Sequence, residues 1–86
     1  MPEICRFLGA IITMNFREHN PPHFHVTYSE NEAIICINDL RTLEGKLPRR
    51  IKAAVLEWAD EHRQELLENW NAAQEGKPTK KIRPLD

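Results

Sequence analysis

Residues 23–38, HFHVTYSENEAIICIN, decide how this chain is read. From His23 to Ser29 the side chains alternate, with Phe24, Val26 and Tyr28 on one face and His23 and His25 on the other. That is the two-residue period of a half-buried strand. Glu32 to Asn38, EAIICIN, is apolar through its middle and reads as a second strand. Glu30-Asn31 between them is short enough for a two-residue hairpin, and Asn31 tolerates the positive φ such a turn demands. A turn there sets Ser29 against Glu32, Thr27 against Ile34, His25 against Cys36 and His23 against Asn38.

Working outward toward the N-terminus, Phe7 to Phe16 (FLGAIITMNF) is β-branched and aromatic and reads as one more strand. The connection REHNPP holds Asn20 and Pro21 extended, because the residue before a proline is kept out of the helical region. Toward the C-terminus, residues 39–47 read as a loop with Gly45 as its flexible point. A long helix is expected from about Pro48 to about Glu75, stopped by Gly76 and Pro78. At 100° per residue Ile51, Ala54, Val55, Trp58, Ala59, Leu66, Trp70 and Ala73 share one stripe. The expectation is an α+β fold in a single domain over residues 1–86. It has a three-stranded antiparallel β-meander (strands about 7–16, 23–29 and 32–38), one long amphipathic helix (about 48–75) and an extended basic C-terminal tail (76–86).

Eighty-six residues with 41% hydrophobic and 29% charged side chains suit a small globular domain. Twelve Lys and Arg against thirteen Asp and Glu give a net charge of −1, so no whole-molecule field draws the chain to nucleic acid or to an anionic membrane. No apolar run approaches the ~20 residues of a membrane span. The opening MPEICRF lacks the pattern of a signal peptide, and Cys5 and Cys36 are too few for a disulfide framework, so a cytoplasmic setting is expected. A core of this size is worth only ~3–5 kcal/mol, which makes a homodimer or a small protein partner a natural source of further stability. Charge is segregated all the same. Residues 41–52 carry a net +4, residues 57–75 a net −5 and residues 77–83 a net +4, which as it stands suits a solvated helix face between two basic flanks.

Three of the four histidines, His19, His23 and His25, fall within HNPPHFH. Three readings stand side by side. The rings can fix the proline turn by hydrogen-bonding loop carbonyls. His23 and His25 can act as catalytic acid and base, since imidazole titrates near neutral pH. Or His19, His23, His25 and Cys36 can hold zinc or another transition metal, for which imidazole nitrogens and a thiolate are suitable ligands, although none is required. His62 lies on the helical stripe where a leucine is expected; it is either a hydrogen-bonded core histidine or, with Asn69 and Glu65, a polar seam that supports the histidine cluster. At the helix start, Lys46, Arg49, Arg50 and Lys52 sit where the helix dipole disfavours cations and no capping side chain is present. Lys46, Arg49 and Arg50 are therefore candidate anion-binding residues, for a phosphate or equally for a carboxylate.

HNPPHFHV, followed by LEGKLPRR, EWADEHRQELLENW and KKIRPL, resembles the small bacterial domain-of-unknown-function family numbered 4160 over nearly the whole chain. The motif positions are His19, Pro21, Pro22, His23, Phe24, His25, Gly45, Leu47, Pro48, Trp58, His62 and Trp70. The resemblance implies a small stand-alone protein, often encoded beside another small protein, and carries no catalytic assignment. It suggests one half of a toxin–antitoxin-like pair acting through protein–protein contact. Two alternatives remain beside it. One is a small metal-independent ribonuclease or other phosphodiesterase, acting on RNA with His23 and His25 and gripping phosphate with the basic helix start. The other is a transition-metal-binding module.

Overall fold

The computed structural model describes residues 2–85. It contains five strands in one antiparallel sheet of order β1-β2-β3-β4-β5, followed by two helices, rather than a three-stranded meander with one long helix. The strands are β1 (Glu3–Phe7), β2 (Ala10–Thr13), β3 (His23–Tyr28), β4 (Asn31–Cys36) and β5 (Thr42–Gly45). The helices are α1 (Arg49–Glu61) and α2 (Arg63–Gln74).

The expected strand over 7–16 is the second half of a hairpin. Leu8 and Gly9 form its turn with φ of 51° and 84°, and Phe7 pairs with Ala10. Two consecutive positive φ values are what a tight hairpin loop requires, and the Gly9 inside the apolar run was its mark. Glu3 to Phe7 then pairs along β2 as a strand of its own. The fifth strand lies where a loop was expected. It is short, and Leu43 is its only large apolar residue, so no alternation announced it. Gly45 (φ 82°) makes the pairing feasible, because a Cβ there would stand 2.1 Å from the Glu32 carbonyl oxygen.

The β3–β4 hairpin turns at Ser29-Glu30, with Tyr28 opposite Asn31 and the positive φ carried by Ser29 (53°). This register differs by two residues from the expected one. A shift of two keeps every side chain on its face, yet it changes the partners. His25 lies opposite Ile34, and His23 lies opposite Cys36. Inward-facing Phe24 and Val26 thereby meet Ile35 and Ala33, and all four are buried.

The expected long helix breaks at His62 (φ −117°, ψ 25°). The His62 N–H is shared between the carbonyls of Trp58 and Ala59, at 3.1 and 3.2 Å. Side chains on either side tie the break down. The His62 ring lies 5.7 Å from that of Trp58, and Arg63 donates to the carbonyls of Ile37 and Asn38 and to Asp60. Ile51, Val55, Trp58 and Ala59 of α1 and Leu66, Trp70 and Ala73 of α2 are buried with the inner face of the sheet. Trp58 is fully buried against Phe7 and Phe24, with ring centroids 5.7 and 6.0 Å away. Its indole N–H donates to the Arg83 carbonyl at 2.8 Å, as a buried indole must find an acceptor.

The basic tail runs along the domain. Ile82 is buried and its N–H bonds the Ile4 carbonyl at 2.8 Å, while the Asn69 side chain both donates to and accepts from the backbone of Lys80, at 2.9 Å each way. Among the described residues, no helix is long and apolar enough to cross a membrane.

Candidate metal centre

The outward face of β3 presents His23 and His25, two residues apart and therefore side by side. Their rings meet edge-on with centroids 5.3 Å apart. The connection from β2 then folds back over them. It brings in Glu18, whose Oε1 lies 3.0 Å from His25 Nε2 and 3.6 Å from His23 Nε2. Glu18, His23 and His25 each offer one ligand atom, and these atoms all lie within 4.8 Å of one another.

Several contacts aim this trio. His23 Nδ1 lies 2.8 Å from the Pro21 carbonyl, which can only accept. His23 therefore carries its proton on Nδ1 and leaves the Nε2 lone pair turned toward Glu18, the arrangement that a carbonyl behind a metal-binding histidine imposes. The Asn20-Pro21 peptide in this turn is cis. The loop is fastened to the end of α2. Gln74 Nε2 donates to the Glu18 carbonyl at 3.0 Å, the Arg17 N–H to the Ala73 carbonyl at 3.2 Å, and the Trp70 ring lies 5.1 Å from that of His23. The break at His62 separates α1 from the helix that makes these contacts. An unbroken helix packed on the inner sheet face had offered no route from its stripe to the histidines.

Asn15 completes the setting. Thr13 pairs with His25, and continuing that register past the end of β2 puts Asn15 level with His23 on the same face. Its Nδ2 donates to Glu18 Oε1 at 2.9 Å and stands 3.4 Å from His25 Nε2. The Asn15 bond, and then that from His25, hold the Glu18 carboxyl below the ordinary glutamate range.

His23 and His25 thus lie together, whereas the other two proposed ligands lie elsewhere. His19 is exposed and outside the trio. Cys36 is buried opposite His23, and its thiol turns to the Asp39 carboxylate, which the Arg41 N–H and then that contact keep below the usual range. Glu18, the residue before His19, supplies the loop ligand instead. His62 and Asn69 do not reach the cluster; His62 Nδ1 lies 2.5 Å from Glu65, and Asn69 holds the tail. Lys46, Arg49 and Arg50 are exposed, and none has an ion-pair partner among the described residues. Lys46 bonds the Glu32 carbonyl, and Glu32 is level with Thr27. The basic helix start therefore follows the Thr27 end of the ladder, four residues along β3 from His23.

Compared with known proteins, the chain matches the profile of the family described as Domain of unknown function (DUF4160) over residues 9–71. That stretch holds the whole trio and Asn15. No curated protein and no solved structure matches the chain.

Proposed function

The chain belongs to the DUF4160 family, and we propose that it is a transition-metal-binding module that takes one divalent ion on His23, His25 and Glu18. The observation that carries this reading is the convergence of two imidazole nitrogens and one carboxylate oxygen within 4.8 Å. Two histidines and one carboxylate are a ligand set used for zinc and for non-haem iron, with coordination positions left open. His23 Nε2 is already free to coordinate. His25 Nε2–H donates to Glu18 in the ion-free protein, so uptake requires the other tautomer, with the proton on Nδ1 and the Nε2 lone pair on the metal.

The test is calorimetric titration of untagged protein with Zn2+, Mn2+ and Co2+, alongside a variant carrying His23→Ala and His25→Ala. The expected result is one ion per wild-type chain, accompanied by a change in Trp70 fluorescence, and no binding by the variant. A wild-type chain that takes up no ion, or a variant that binds as tightly as wild type, overturns the reading. Bound ion also raises the melting temperature, by the equivalent of about 2.7 kcal/mol at a hundredfold excess over Kd.

A further inference from the structure

We infer that Asn15 is a fourth ligand of this centre, through Oδ1, after its amide turns over; the inference rests on the metal-binding reading above. In the ion-free protein the two ends of the amide are unequally used. Nδ2 donates to Glu18 Oε1 at 2.9 Å and stands 3.4 Å from His25 Nε2, so the amide nitrogen sits beside two of the three ligand atoms, at the place a cation would take. Oδ1 is buried and has no hydrogen-bond partner, an arrangement that costs free energy and calls for a cause.

A turn of about 180° about the Cβ–Cγ bond, a broad and roughly two-fold torsion, exchanges the two ends. Oδ1 then faces the position between Glu18 and His25, where an amide oxygen is a normal ligand for a divalent ion. The NH2 group, which an ion would repel, leaves the carboxylate. Two other buried polar atoms are unpartnered as well. Thr13 Oγ1 is buried opposite His25, and Gln74 holds the Glu18 carbonyl with its nitrogen while its Oε1 is unpartnered. The resulting set of two nitrogens and two oxygens suits divalent first-row ions such as Mn2+, Fe2+, Co2+ and Zn2+ rather than a soft monovalent ion.

Affinity alone does not separate a ligand from a residue that merely orients Glu18, because losing an orienting contact already costs 10- to 100-fold. The decisive experiment follows the Asn15 side chain by NMR in 13C,15N-labelled wild-type protein titrated with Zn2+. The expected result is a downfield move of the Asn15 13Cγ resonance and displacement of its NH2 signals at one equivalent. In parallel, Asn15→Ala is expected to change the visible absorption of bound Co2+ and to weaken binding at least tenfold, and Asn15→Asp to restore both. Zn2+ bound through His23, His25 and Glu18 with unmoved Asn15 signals overturns this inference and leaves the metal reading standing. Wild-type protein that binds no Zn2+ overturns both. If Asn15→Ala does not fold, the wild-type NMR result decides by itself.

Discussion

The molecule makes two kinds of histidine–glutamate contact. At the junction of the helices, His62 Nδ1 lies 2.5 Å from Glu65 Oε1, three residues away, with the imidazole beside the ring of Trp58. At the sheet, Glu18 reaches His25 at 3.0 Å and His23 at 3.6 Å, from seven and five positions away in the chain. The helical pair is complete in itself, since its two members satisfy each other at a place where the helix must bend. The sheet pair opens onto a third group, and its ligand atoms converge from a strand and a loop. The same two residue types thus serve a local bend in one place and a ligand set in the other. Convergence of several groups distinguishes them, and the shorter distance does not.

The sharpest way to break this comparison is to remove one member from each site. Replacing Glu18 or His25 by Ala is expected to lower Zn2+ affinity by more than about 100-fold, beyond the range seen for supporting residues. His62→Ala is expected to leave it unchanged. Equal losses in a calorimetric titration would show that the two sites are not distinct. The helical region instead carries stability. Asn69→Ala leaves both backbone groups of Lys80 without their partner, at a cost of about 1–3 kcal/mol in denaturant unfolding. His62→Ala, which removes one exposed-side contact and the ring beside Trp58, is expected to cost less, about 1 kcal/mol.

How much of this was legible in the sequence follows the same division between local and convergent. The amphipathic stripe over 51–73 and the alternation of 23–29 were visible, because burial on one face imposes a period on neighbouring residues. The Leu8-Gly9 turn had Gly9 as its single mark inside an apolar run, and β5 was hidden by its shortness and its lone leucine. The break at His62 left no proline or glycine as a marker; it rests on contacts with residues far along the chain, such as the carbonyls of Ile37 and Asn38. At the site, the pairing of His23 with His25 was readable from their spacing. The acidic neighbour was not, because His19 drew the eye and Glu18 beside it had no pattern of its own. One signal was available for Asn15: alternation continued from Thr13 puts it on the histidine face.

The smallest effect concerns pH. Hydrogen bonds from Asn15 and His25 depress the Glu18 carboxyl. A depressed carboxylate contributes stability that is present above its unfolded pKa of about 4.3 and is lost as pH falls through the lower folded value. Asn15→Ala is expected to move the Glu18 titration midpoint upward, toward that ordinary value, as followed by the 13C shift of its carboxyl carbon.

The most direct test of the metal centre is anomalous diffraction from crystals of untagged protein grown with Zn2+. The account predicts a peak bonded to Nε2 of His23, Nε2 of His25 and Oε1 of Glu18 at about 2.0–2.2 Å, with none at His62 and Glu65. A peak at His62 and Glu65 instead, or no peak among Glu18, His23 and His25, would contradict it.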